Sequence, residues 1–392
     1  MAIHSRLIGA ILLITGTTVG AGILAMPIAI GRAGFIPSLC TMCFCWVYLA
    51  YAAFCILEVA LALPAKSNLI SMATATCGRW GKAISWVAYL FLLYALNTAY
   101  IAVSANIFQN IIQAVTGYAA SQILCILPLL VIFGLLLRQG MHIVDVTNRM
   151  CMVGLGLSFV FLVVFAMTRL DVSYLTAVNW SAALPSLSVA VTAFGYHIII
   201  PSLVTYLHRS VKELSIAIWI GSLLPLVIYT IWQLAILGLV PLQGESSIEA
   251  AFAAGHSGTD LLKSISSNPL VTYVAEAFAF FVIITSFLGV SISLFDFLAD
   301  GLKIEKRAGG KWKLFFFTFV PPLYFALTYP RIFFIALEYA GAYGVVILLA
   351  IVPACMVWMK RYVLHLPSPY TVPGGKLGLL VFLLISLSIM IM

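Results

Sequence analysis

Apolar runs of membrane-spanning length fill most of the chain, separated by short polar connections that carry nearly all of its charge. A hydrocarbon core about 30 Å thick takes roughly 20 apolar residues of helix. On that measure eleven helices are expected: Leu7–Ile30, Ile36–Leu63, Ile84–Val115, Ile123–Leu137, Met150–Ala166, Leu184–Leu207, Leu214–Val240, Val271–Leu298, Leu314–Leu327, Ile332–Trp358 and Leu377–Met392. The ninth is short and ends near Pro321 and Pro322. The one long polar stretch, Gln243 to Asn268, is too poor in apolar residues to be a domain. The expected fold class is an all-α membrane protein with a single transmembrane domain over residues 1–392.

Charge gives that pattern a direction. Loops on the cytoplasmic side of a membrane are enriched in Lys and Arg. With the N-terminus inside, sixteen of the 20 basic residues fall in inner loops. They are Arg6; Lys66, Arg79 and Lys82; Arg138 and Arg149; Arg209 and Lys212; Lys303, Lys306, Arg307, Lys311 and Lys313; and Lys360, Arg361 and Lys376. Arg32, Arg169, Lys263 and Arg331 are left outside. Eleven crossings then put the C-terminus outside.

Composition agrees, with 64% hydrophobic and 8% charged residues and a mean hydropathy of +1.15. A soluble domain carries roughly 25% charged residues. The net charge of +8 is dispersed over short loops, so it marks topology rather than a nucleic-acid surface. Seven of the eight cysteines lie in apolar runs and Cys77 in an inner loop, which argues for free thiols and against a disulfide framework. The first apolar run is too long for a cleavable signal peptide.

Two spans are interrupted. The first carries Thr15-Gly16-Thr17-Thr18-Val19-Gly20-Ala21-Gly22 at its middle and Pro27 beyond. Gly costs roughly 1 kcal/mol and Pro roughly 3 kcal/mol in a helix interior. Non-helical backbone survives at that depth only where protein covers it or a cavity faces it. Gly16 and Gly20 also fit a close-packing motif between helices. The sixth span repeats the pattern with Thr192-Ala193-Phe194-Gly195-Tyr196-His197 and then Pro201. If the chain holds two five-helix repeats, roughly 7–170 and 182–358 with an extra helix at 377–392, these spans occupy matching positions. Five is odd, so the second repeat is inverted. Paired broken helices in inverted halves point to the central site of a transporter.

Three blocks carry a resemblance: Gly16-Thr17-Thr18-Val19-Gly20-Ala21-Gly22-Ile23-Leu24-Ala25-Met26-Pro27; Phe194-Gly195-Tyr196-His197 with Pro201-Ser202-Leu203-Val204; and Thr285-Ser286-Phe287-Leu288-Gly289-Val290 with Leu294-Phe295-Asp296-Phe297-Leu298-Ala299-Asp300. Asn179-Trp180 and Tyr329-Pro330-Arg331 are weaker echoes. In this order they resemble the hydroxy/aromatic amino acid permease family of tyrosine and tryptophan permeases, along nearly the whole chain. The resemblance implies an eleven-helix LeuT-type fold, proton-coupled import of an aromatic amino acid, and residence in the cytoplasmic membrane.

An amino acid brings a carboxylate, an ammonium and a side chain. Free amides near Gly20, Ala21, Gly22 and Ile23, at the positive end of a half-helix, suit the carboxylate. Carbonyls around Thr17, Thr18, Ala193 and Phe194 suit the ammonium. Phe194, Gly195 and Tyr196, with Tyr94 and Asn97 of the third span, are the candidate aromatic pocket. His197 has the reference pKa best suited to reversible protonation, about 6.5. Glu58, Glu276, Asp296 and Glu338 lie in or at the edges of spans, where ionised groups are costly. The first three join His197 as proton-coupling candidates. No lysine is expected inside a span; Ser291 and Ser293 are oxygen ligands in reserve for a cation-driven protein. His142 with Asp145, and His208 with Arg209, read as interfacial loop residues. No phosphate loop, metal spacing or catalytic pairing suggests an enzyme. The expected partners are an aromatic amino acid, protons and the lipid bilayer, with no cofactor, metal or nucleic acid. The rival readings are a carrier for tryptophan or serine, a sodium-driven carrier, a channel, or a scaffold without transport.

Overall fold

The computed structural model describes residues 2–64, 67–118, 120–139, 141–266, 268–305, 308–329 and 332–391, without the side chains of 2–5, 111, 114, 115, 135–145 and 308. Lys66, Lys306, Arg307, Pro330 and Arg331 therefore lie outside the described residues, as do the side chains of Arg138, His142 and Asp145.

Among the described residues every regular element is helical. The α-helices are α1 (Ala2–Thr18), α2 (Gly22–Ala29), α3 (Phe35–Ala62), α4 (Leu69–Thr116), α5 (Gln122–Gln139), α6 (Met141–Met167), α7 (Leu187–Ala193), α8 (Ile200–Tyr206) and α9 (Val211–Leu237), followed by α10 (Ile248–Ala254), α11 (Gly258–Ile265), α12 (Pro269–Gly301), α13 (Ala308–Thr328), α14 (Ile332–Tyr339), α15 (Val352–Tyr362) and α16 (Gly375–Ile391). By length and apolarity seven described spans can cross a membrane, and α1 with α2 forms an eighth that is bent by 55°. Gln122–Gly134 and Gly375–Ile391 are apolar but shorter.

Several boundaries differ from the hydropathy pattern. The stretch around Cys77, expected as loop, belongs to α4, which starts on an Asn68 capping box and kinks at Gly78 (φ 66°). α13 runs through Pro321 and Pro322 to Thr328. Hydropathy ends the tenth span at Trp358, but α14 passes through a π-helical stretch, Ala340–Ile351, into α15 and on to Tyr362. Lys360 is consequently inside the apolar helical span Ile332–Tyr362 and 3% exposed, which corrects the expectation of no lysine inside a span.

The polar stretch before α12 also has structure. Ser247 caps α10, and Ser257 with Asp260 forms a capping box on α11. Burial opposes the charge on Asp260, but Lys263 at 2.8 Å and the amide and hydroxyl of Ser257 hold its carboxyl below the usual range. These helices lie over α2: a β-carbon on Gly258 would sit 3.3 Å from Pro27 Cγ.

The interior packs where small residues allow it. A β-carbon on Gly221 of α9 would come within 2.7 Å of Ile14 Cβ, so α1 and α9 meet nearly backbone to backbone. Gly341, at the start of the π-helical stretch, presses against the Ser188 carbonyl of α7. The Leu337 carbonyl, near the α-to-π junction, accepts a hydrogen bond from Thr192 Oγ1 at 2.8 Å.

Candidate functional site

The sequence ends α1 by local chemistry. The hydroxyls of Thr15, Thr17 and Thr18 donate to the carbonyls four residues back, at 2.9, 2.7 and 2.7 Å. Such back-bonding weakens and bends a helix. Bonding resumes with tighter turns, Ile23 N–H to Gly20 at 3.0 Å and Leu24 N–H to Ala21 at 3.1 Å. α7 stops at Ala193, and the chain restarts as a 3₁₀ turn over His197–Ile199. Pro201 has no N–H for the His197 carbonyl, and Ile200 N–H takes that acceptor instead.

The two breaks meet. A β-carbon on Gly22 would lie 2.8 Å from that of Ala193. Tyr229 of α9, 1% exposed, directs its hydroxyl at the carbonyls of Thr18 and Ala193, at 2.8 and 3.0 Å. The buried Phe194 ring meets the Tyr229 ring edge-on, with centroids 5.4 Å apart. From α12, Ser286 Oγ accepts the Ala21 N–H at 3.1 Å and lies against Gly20. The candidate site is this junction of α1–α2, α7–α8, α9 and α12.

It gathers Thr18, Gly20, Ala21, Gly22 and Phe194 of the expected residues, while Gly195 faces Val345 and Leu349 of the π-helical stretch. Thr17 is exposed and turned away. The amides expected to be free are only partly so, since those of Ala21 and Ile23 are engaged. Gly22 packs against α7, and Gly16 leaves open space beyond Met152.

The other candidates are placed elsewhere. Tyr94 donates to the Phe317 carbonyl of α13 at 2.7 Å. Asn97, fully buried, accepts from Ser291 Oγ of α12 at 2.7 Å, while Ser293 bonds its own helix at Gly289. Tyr196 and His197 are stacked, 4.6 Å between centroids, and both are buried. His197 Nε2 pairs with the Leu49 carbonyl of α3 at 2.8 Å, and its Nδ1 has no hydrogen-bond partner among the described residues. The Tyr196 hydroxyl likewise has none. Glu276 faces Lys263 of α11 at 3.8 Å, and Asp296 is exposed near the end of α12.

Glu58 is fully buried at the opposite end of α3 from α2. One carboxylate oxygen accepts from Lys360 Nζ at 2.9 Å and Arg361 Nε at 2.7 Å. The other accepts from Arg361 Nη2 and from the Val372 amide, the latter at 2.7 Å. Arg209 closes the same end, donating to the carbonyls of Leu61 and Leu63.

Sequence reasoning missed Tyr229 as a site residue, and it quoted Ser286 without giving it a part. One signal was present. Gly221, Pro225, Tyr229 and Gln233 form a single i, i+4 row on α9. Pro225 leaves the Gly221 carbonyl without its intrahelical donor, and Thr15 Oγ1 of α1 supplies one at 3.1 Å.

Comparison with known proteins fits this geometry. The Tyrosine-specific transport system 1 of Haemophilus influenzae is 32% identical over 98% of this chain and 96% of its own length. The Tryptophan-specific transport protein of the same organism is 32% identical, covering 94% and 91%. Glutamine transporter 2 of Aliivibrio fischeri is 25% identical over 98% of each chain. The crystal structure of MhsT in complex with L-phenylalanine superposes with a TM-score of 0.62 at 14% identity, covering 98% of this chain and 97% of that one, so the fold is shared and is LeuT-type. The profile of the tryptophan/tyrosine permease family matches residues 4–392, and this multi-pass membrane protein, a transporter and not an enzyme, belongs to that family.

Proposed function

We propose that the chain imports tyrosine across the cytoplasmic membrane by proton symport. The observation that carries this reading is the contact of two broken helices, whose C-terminal ends at Thr18 and Ala193 face one buried point. Such ends attract a positive group, and the start of α2 attracts a negative one, which matches a zwitterion. Similarity to tyrosine-specific transport systems supports the choice of substrate, and the aromatic lining by Phe194 and Tyr229 is consistent with it.

In this reading eleven helices cross the membrane with the N-terminus inside and the C-terminus outside. Residues 7–170 and 182–358 form inverted repeats of one domain, and 377–392 adds a helix. α10 and α11 then cover the site from outside, and the Glu58 cluster lies inside. His197 is the proposed proton carrier: with Nε2–H donated to Leu49, Nδ1 holds the free lone pair.

The test is counterflow of labelled tyrosine in proteoliposomes, with tryptophan and glutamine as competitors. The reading expects saturable exchange that prefers tyrosine, and accumulation that collapses with the proton gradient but survives replacement of sodium by choline. Exchange that prefers tryptophan supports the second reading, favoured by the equally similar tryptophan relative. Ion conductance without exchange would overturn the carrier.

A further inference from the structure

The last carbonyls of a helix have no intrahelical donor and carry the negative end of its dipole. α1 and α7 both end at the junction, so two such ends converge at a buried point. Unpaired carbonyls at membrane depth cost several kcal/mol each. Points of this kind in broken transport helices ordinarily coordinate a cation. Here a phenol occupies the point. It has a single O–H, placed 2.8 Å from the Thr18 carbonyl and 3.0 Å from that of Ala193, so one proton serves two acceptors.

The surroundings fix that proton in place. Thr15 ties α1 to the Gly221 carbonyl two turns before Tyr229, and Phe194 braces the ring from the side. Gly22 lies beside the hydroxyl, since the β-carbon it lacks would sit 3.7 Å from that oxygen.

We infer that Tyr229 is a positioning residue whose hydroxyl stands in for a bound cation at the meeting of the two breaks, which lets the site form without sodium. This rests on the transporter reading above. The substrate ammonium then docks beside carbonyls whose spacing the phenol sets.

Tyr229→Phe removes one oxygen and keeps the ring, and Tyr229→Ser opens room for an ion beside the two carbonyls. Both are compared with the unaltered protein in lipid nanodiscs, in sodium chloride and in choline chloride. Labelled tyrosine binding and Tm are read on the same samples. The unaltered protein is expected to be indifferent to sodium in both. Tyr229→Phe should bind tyrosine about tenfold more weakly or worse, from loss of a buried hydrogen bond. Its Tm should fall by less than about 5 °C. Tyr229→Ser should be stabilised by sodium and not by choline. A purely structural role would lower Tm alone and leave the affinity of the folded protein unchanged. Tyr229→Phe binding within about twofold of the unaltered protein, together with a Tyr229→Ser Tm blind to sodium, would overturn the inference. If the unaltered protein binds no aromatic amino acid, the proposed substrate fails instead, and the sodium effect on the Tm of Tyr229→Ser decides the inference by itself.

Discussion

At the junction of the breaks one phenolic proton serves two carbonyls, whereas at the far end of α3 one carboxylate takes four hydrogen bonds from a lysine, an arginine and an amide. Tyr229 and Glu58 are both buried, yet the two places differ in what it costs to disturb them. A neutral hydrogen bond exchanged for another of its kind changes little, since its net worth is about 1 kcal/mol. Removing one member of a buried ionic cluster leaves the others charged and unpaired, at about 3–5 kcal/mol. The charged cluster is suited to hold α3, α15 and the segment before α16 as one body. The neutral junction is suited to open and close around a substrate.

The largest expected effect is at the charged end. Glu58→Ala should lower Tm by about 6–10 °C or prevent recovery of folded protein. Adding Lys360→Met and Arg361→Met should restore part of that loss, because the stranded charges are gone. A Glu58→Ala protein as stable as the parent, measured by thermal unfolding in detergent, would mean that the cluster holds nothing.

At the junction, Gly22→Ala places a methyl against Ala193 and should cost about 1–3 kcal/mol. Ala193→Gly in the same chain should recover most of it, since the two residues touch and their effects are coupled. Strict additivity of the two changes would show that the breaks do not meet as described.

His197→Gln should have the smallest effect on stability, because a glutamine amide can still donate to the Leu49 carbonyl. Tyrosine counterflow should persist while accumulation driven by a proton gradient is lost. Retained accumulation would assign the proton to another group.

Orientation joins the same comparison, since it sets which of the two places faces the cytoplasm. In a cysteine-free background Ser246→Cys, before α10, should react with an impermeant thiol reagent in intact cells, and Lys311→Cys of α13 should not. The reverse would invert the molecule and put the Glu58 cluster outside.

The breaks themselves were legible because Gly and Pro act locally: Gly20 and Gly22, then Gly195 and Pro201, leave their mark on any chain that contains them. Tyr229 was less so, because α9 is apolar and continuous, and the row of Gly221, Pro225, Tyr229 and Gln233 marks a face of the helix without telling which partners that phenol meets. Lys360 was missed for a related reason. The expected tenth span stops just before the adjacent charges Lys360 and Arg361, and the group that neutralises Lys360 is Glu58, 302 positions away. The caps of α10 and α11 were present in Ser247 and in Ser257 with Asp260, but a polar stretch conceals short helices whose apolar face is made by the body beneath them. Side-chain direction was the least legible of all. Tyr94 and His197 were expected at the site and turn instead to α13 and α3.

The central claim is that substrate occupies the junction where Ser286 meets Ala21, and Ser286→Cys in the cysteine-free background tests it most directly. Its alkylation rate is measured with and without tyrosine, beside Tyr94→Cys as the comparison. At about ten times its dissociation constant, tyrosine should slow the reaction at position 286 about tenfold and leave position 94 unchanged. Protection at 94 with none at 286 would place the substrate between α4 and α13 and contradict the account.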